Sequence, residues 1–340
     1  MINRVLIIAE AGVNHNGDFE LAKQLIAAAA DSGADFVKFQ TFKADKLVSK
    51  TARKSDYQVK NTNDNNSQYE MLKNLEMPEQ WHYDLKSYAE SLGIKFLSTG
   101  FDLDSIDFLD RIGIPFFKIP SGEITNRPFL EYVAGKGKPV IISSGMANME
   151  EIKDAIQIML SEGISRESIT VLHCNTDYPT PMEDVNLLAM ITIEKELDVR
   201  IGYSDHTEGI EVPIAAVALG AKVIEKHFTL DRNMPGPDHR ASLEPDELKR
   251  MVKAIRNIEL AISGDGQKLP SPSESKNMIS SRKSIFIAKP LSEGDVIEER
   301  DLETKRPGDG ISPMHIPIVI GKKLKTDLME GHKLEWSDLI

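Results

Sequence analysis

Short apolar runs alternate with helical patterns along the first 230 or so residues, and nearly every run ends in polar or ionisable side chains. VLIIAE reaches Glu10, FVKFQ carries Lys38 and Gln40, KFLST ends at Thr99, and FFKIPSGE carries Lys118, Ser121 and Glu123. VIISS ends at Ser143 and Ser144, ITVLHCNT at Asn175 and Thr176, IGYSDH at His206, and VIEKH at His227. Between the first two runs, Phe19, Ala22, Leu25 and Ile26 recur at helical spacing, and Gly33 marks the end of that helix. Similar patterns follow each later run. Strands alternating with helices predict right-handed βαβ units. Eight strands that all finish in chemistry predict a (β/α)8 TIM barrel with its active site at the carboxyl ends of the strands.

One connection departs from this rhythm. Between Phe42 and Lys95 lie a polar loop at 60–68 and two helical patterns, near 69–76 and 78–92. So long a connection is either a surface decoration or a loop that covers substrate. The barrel pattern stops near Ser263, so residues 1–263 read as the catalytic domain. Residues 264–280, rich in Gly, Pro, Ser and charge, read as a linker. Residues 281–340 carry short strands and tight turns, a module small enough to need packing on its own barrel or on a partner chain.

Composition narrows the function classes. The formal charge is −12, which lacks the electrostatic footprint of a nucleic-acid binder. Cys174 is the single cysteine, so no intrachain disulfide forms, and a reducing cytoplasm is expected. Neither a signal peptide nor an apolar run of ~20 residues is expected, so no membrane partner is.

Strand parity then selects candidate chemistry. Lys38 shares a face with Phe36 and Gln40, and Lys118 with Phe116. A buried ammonium needs a counter-charge. A bound phosphate or carboxylate would supply it, and so would an inward glutamate such as Glu10 or Glu225. His206 and His227 end neighbouring strands, where two imidazoles can hold a divalent metal with positions left for water and substrate. Asp238 and His239 follow on the next loop. Cys174 sits in an apolar strand and reads as core.

Taken together, IIAEAGVNHNG, VKFQTFKADKL, KIPSGEI, ISSGMA, LHCNTDYPTP, GYSDHTEG, IEKHFTLD, GPDHRASLEP and KRPGDGISP resemble the sialic acid synthase family, over nearly the whole chain. That family includes the N-acetylneuraminate, legionaminic acid and pseudaminic acid synthases. The resemblance implies a barrel followed by an antifreeze-like (SAF) domain. It also implies a domain-swapped homodimer in which each small domain closes the partner's barrel. The implied reaction condenses phosphoenolpyruvate with an N-acylated amino-hexose to a nine-carbon keto acid, releasing phosphate. Lys38 and Lys118, with Thr99, Ser121, Ser143, Thr176 and Tyr178, would hold phosphoenolpyruvate. Glu10 and Glu123 would be the acid/base pair. Asn63, Tyr178, Asp238 and Arg306 would hold the sugar, with Asn61 a neighbouring alternative to Asn63. His206 and His227 would bind Mn2+ in preference to Mg2+. The acceptor is left open between N-acetylmannosamine, taken first as the best-represented activity, and a diacetamido-trideoxyhexose. A metal-dependent barrel hydrolase and a non-catalytic carbohydrate-binding protein are the competing readings.

Overall fold

The computed structural model describes residues 4–62 and 66–340. The chain divides into two compact units, 1–263 and 264–340.

The first unit holds eight strands: β1 (Leu6–Gly12), β2 (Phe36–Thr41), β3 (Lys95–Gly100), β4 (Phe117–Ile119), β5 (Val140–Ser143), β6 (Ile169–His173), β7 (Arg200–Asp205) and β8 (Val223–His227). Every ladder among them is parallel, and β1 pairs with both β2 and β8, which curls the sheet into a barrel closed except between β3 and β4. Those two strands lie side by side without a ladder. The expected TIM-type architecture is present. Strands covered on both faces read as continuous apolar runs, because the outward side chains meet helices and the inward ones fill the barrel. Val37 and Phe39 are wholly buried on one face of β2, while Phe36 and Lys38 are buried on the other.

The helices are built by local signals. In α1 (Phe19–Asp31) the Asp18 carboxylate accepts the Leu21 N–H, and Ala22, Leu25, Ile26 and Ala29 form the buried face. Gly33 ends the turn at φ +79°, a left-handed conformation that costs glycine least.

The β2–β3 connection contains four helices: α2 (Ala44–Leu47), α3 (Asp56–Thr62), α4 (Gln68–Leu75) and α5 (Glu79–Ser91). The two longer ones match the expected patterns. The two short ones do not show in the sequence, and the polar segment 60–68 starts inside α3. None of the residues of α3 is buried, so it has no apolar stripe to betray it. Met71 and Leu75 of α4 pack with Val13 and Phe42 in a small apolar cluster of their own.

The remaining barrel helices are α6 (Leu103–Arg111), α7 (Arg127–Ala134), α8 (Met149–Ser161), α9 (Leu188–Leu197), α10 (Glu211–Ala218) and α11 (Pro245–Ala261).

In the second unit, part of the segment read as linker is helical: α12 (Pro272–Ser281) starts at a reciprocal Ser271–Glu274 capping box. Strands β9 (Ser284–Ile287) and β10 (Leu302–Lys305) pair antiparallel. Ile285, Ile287, Ile297, Ile311, Val319 and Leu324 belong to this unit's own core.

Candidate active site

The carboxyl ends of the strands and the β2–β3 insertion enclose a cavity of about 710 Å³. Register decides what faces it. Glu10 of β1 is the Cα partner of Lys38 on β2 and of His227 on β8. Ser204 of β7 is opposite Glu225 of β8. Three adjoining ladders thus turn two acids, a lysine, a serine and a histidine toward the cavity on two successive inward rungs, with Glu225 two residues before His227 on β8.

The floor is a buried charge network. Lys38 Nζ lies 2.8 Å from Glu10 Oε2 and 3.6 Å from Glu225 Oε2, and donates to Thr99 Oγ1 at 2.9 Å. Lys118 Nζ lies 3.3 Å from Glu225 Oε1, which also accepts the Ser204 hydroxyl at 3.2 Å. Of the two sources of counter-charge for the inward lysines, the glutamates are therefore in place. Burial pushes the Glu10 carboxyl up to about 7, with Lys38 opposing and Glu225 adding. Burial acts in the same sense on Glu225, but the fields of Lys118 and Lys38 overcome it and hold that carboxyl at about 2. Burial alone lifts Asp238, also on the cavity wall, to about 6.

Hydrogen-bond donors ring this floor. The Ser143 hydroxyl is buried without a partner among the described residues. Ser121 Oγ accepts the Gly145 N–H at 3.0 Å and sits 3.3 Å from Cys174 Sγ. Thr176 lines the cavity beside Asn175, whose carboxamide is already engaged by the Asp177 N–H at 2.8 Å. Glu123 lines it too, accepting from Asn126 Nδ2 at 2.5 Å.

The two histidines meet at the rim, with ring centroids 5.4 Å apart. His206 Nδ1 is 2.5 Å from the Asn175 carbonyl, which commits that nitrogen as donor and leaves Nε2 with its lone pair. His227 Nδ1 is buried and has no hydrogen-bond partner among the described residues. Burial lowers His206 to about 4, and burial with the neighbouring His206 and Lys38 lowers His227 well below the ordinary imidazole value. Two neutral imidazoles with uncommitted nitrogens fit a divalent cation. No group of three or more His, Cys, Asp or Glu side chains is gathered for a metal among the described residues, so protein would supply two ligands.

An aromatic column closes the remaining side. Tyr178 stacks on Tyr57 of α3 at 4.8 Å and lies 4.1 Å from the His206 ring. Asn61, also on α3, donates from Nδ2 to the Pro237 carbonyl at 2.7 Å, one residue before Asp238. The insertion therefore reaches over the β8 loop and walls the cavity.

The structure brings together Glu10, Lys38, Thr99, Lys118, Ser121, Glu123, Ser143, Thr176, Tyr178, His206, His227 and Asp238. Asn63 lies outside the described residues. Arg306 belongs to the second unit, exposed just after β10. His239 is turned to structure: Nδ1 pairs with Thr229 Oγ1 at 2.7 Å and Nε2 with Asn16 Oδ1 at 3.2 Å. Sequence reasoning passed over Ser204, Gln40 and Tyr57 as site residues. Parity marked the first two, which stand two residues from the inward His206 and Lys38. Nothing local marked Tyr57.

Comparison with known proteins places the chain in a family. Residues 25–268 match the NeuB family model and residues 282–340 the SAF domain model. The N,N'-diacetyllegionaminic acid synthase of Campylobacter jejuni is 52% identical over 94% of this chain and 96% of its own. The enzyme of the same name from Legionella pneumophila is 49% identical, over 98% and 94%. The crystal structure of N-acetylneuraminic acid synthetase from Leptospira borgpetersenii, in complex with citrate, superposes with a TM-score of 0.71 at 36% identity, covering 81% of this chain and 90% of that one. The chain belongs to the NeuB family, the sialic acid synthases, and carries their SAF domain.

Proposed function

We propose that the chain condenses phosphoenolpyruvate with a diacetamido-trideoxyhexose to a nine-carbon legionaminic-type keto acid, releasing phosphate. The observation that carries the reaction is the Glu10–Lys38–Glu225–Lys118 network beside two neutral histidines in one cavity. The acceptor rests on the two relatives named for diacetyllegionaminic acid, 52% and 49% identical across nearly the full chain. That similarity moves the preference away from N-acetylmannosamine.

In the reaction, C3 of phosphoenolpyruvate bonds to the sugar's aldehyde carbon, whose oxygen takes a proton and becomes a hydroxyl. Positive charge develops at C2, water adds there and loses a proton, and the tetrahedral carbon expels phosphate by C–O cleavage. Lys38, Lys118, Thr99 and the free Ser143 hydroxyl hold the anionic substrate, with Ser121, Thr176 and Tyr178 around it. At a pKa of about 7, Glu10 is divided between its acid and base forms near neutrality, as proton transfer requires. Glu123, at the cavity wall, is its counterpart on the water or the sugar. Asp238, Tyr178, Asn63 and Arg306 hold the acceptor. His206 and His227 would hold Mn2+ in preference to Mg2+, which when bound polarises the sugar carbonyl. The enzyme acts in the cytoplasm as a domain-swapped homodimer, each SAF domain presenting Arg306 to the sugar in the partner's barrel. No helix among the described residues is long and apolar enough to cross a membrane.

The test is steady-state phosphate release with each sugar in turn. Release should require both substrates, and kcat/KM for the diacetamido-trideoxyhexose should exceed that for N-acetylmannosamine at least tenfold. Release without a sugar, or none with either, refutes the synthase. Preference for N-acetylmannosamine refutes the acceptor alone.

A further inference from the structure

Side chains alternate along β7 and β8, so Ser204, Glu225 and the strand-end histidines face the cavity while Asp205 and Lys226 face away from it. The other outward positions on these strands, Ile201, Tyr203 and Ile224, are apolar and buried. Asp205 and Lys226 end those apolar columns as an ion pair whose side chains are both 0% exposed, with Nζ 2.5 Å from Oδ2. Desolvating two charges is costly, and a well-packed apolar pair is often as stable. Stability is therefore a weak reason for this pair.

Its connections give a stronger one. Asp205 and Lys226 are Cα partners on the last rung of the β7–β8 ladder. His206 follows the first and His227 follows the second. Asp205 Oδ1 accepts both the N–H and the hydroxyl of Thr207, at 3.1 and 2.9 Å. Lys226 Nζ also donates to the Thr207 carbonyl at 2.5 Å. The residues on both sides of His206 are thus tied to the residue that precedes His227, at the point where the ladder stops holding the strands together.

We propose that Asp205 and Lys226 are positioning residues that set the separation of the His206 and His227 rings for a shared divalent cation. This rests on the metal reading given above. Outer groups that orient metal ligands typically change affinity 10–100-fold when removed.

The test is calorimetric titration of the purified full chain with Mn2+, alongside thermal melting and phosphoenolpyruvate affinity measured without metal. The variant is Asp205→Asn with Lys226→Met, which removes both charges and keeps an acceptor for Thr207. The expected result is a wild-type chain that binds one Mn2+ and loses it in His227→Ala. The double variant should melt within a few degrees of wild type and keep its phosphoenolpyruvate affinity, but bind Mn2+ at least tenfold more weakly. An unchanged Mn2+ affinity, or equal losses for Mn2+ and phosphoenolpyruvate, overturns the positioning role while leaving the metal reading standing. If the double variant does not fold, Asp205→Asn alone is judged by the same two outcomes. A wild-type chain that binds no Mn2+ overturns the metal reading and the positioning role with it.

Discussion

At the scale of single residues, the site depends on close approaches as much as on charges. A Cβ added at Gly145 would stand 2.5 Å from Thr176 Cγ2 and 2.8 Å from Ser121 Oγ, closer than real contacts allow. Gly145→Ala must therefore displace two of the residues placed around phosphoenolpyruvate, and it breaks the reach of the Gly145 N–H to Ser121. The expected outcome is a KM for phosphoenolpyruvate raised about tenfold, equivalent to ~1.4 kcal/mol, with a smaller change for the sugar. Steady-state kinetics with one substrate saturating reads this directly, and an unchanged KM contradicts it. The inward faces of Lys38 and Lys118 were legible from alternation alone, because face is a local property of a strand. That Glu225 answers both lysines, while Glu10 keeps a carboxyl near 7, was not. Those values arise from charges gathered from four different strands.

At the scale of elements, the β2–β3 insertion separates what periodicity reveals from what it hides. Helices α4 and α5 are long enough to show an apolar stripe, whereas α2 and α3 are too short. Yet α3 carries Tyr57 and Asn61, which join the insertion to Tyr178 and to the Pro237 carbonyl. Asn61→Ala removes one hydrogen bond, worth about 1 kcal/mol. It should raise the KM for the sugar roughly fivefold and leave that for phosphoenolpyruvate unchanged. Equal effects on both substrates, or none, would show that the insertion only decorates the barrel. The segment 264–280 teaches the same lesson: its polar composition read as linker, while the Ser271–Glu274 box starts helix α12 within it.

At the scale of the whole molecule, buried histidines couple the fold to pH. Burial holds His15, His82, His206 and His239 at about 4. Each stays neutral in the native state, while the unfolded chain takes up protons below about 6.5. Their contribution is full above that value and is lost as pH falls from 6.5 toward 4, up to about 3 kcal/mol for a fully buried ring. Glu10 has the opposite sign, since its raised pKa favours the native state at low pH and costs stability as pH rises through about 7. Asp238, raised to about 6, acts in the same sense as Glu10, and two carboxyls do not offset four imidazoles. Urea denaturation at pH 7.5 and pH 4.5 should give a clearly lower midpoint at the acid value, and equal midpoints would refute the assignment.

The sequence by itself determined the order of strands and helices, the faces of those strands, and the gathering of chemistry at their carboxyl ends. These follow from periods of two and 3.6, from caps and from turn glycines, all of which act over a few residues. Tertiary structure alone decided that β1 pairs with β8, so that Glu10 meets His227, and that Glu225 sits between two lysines. It alone laid α3 across the β8 loop, and tied the two histidines together through a buried pair on the far side of their strands. Such contacts join residues as far apart as Glu10 and His227, 217 positions (227 − 10). They depend on barrel closure and register, which no local pattern in the chain encodes.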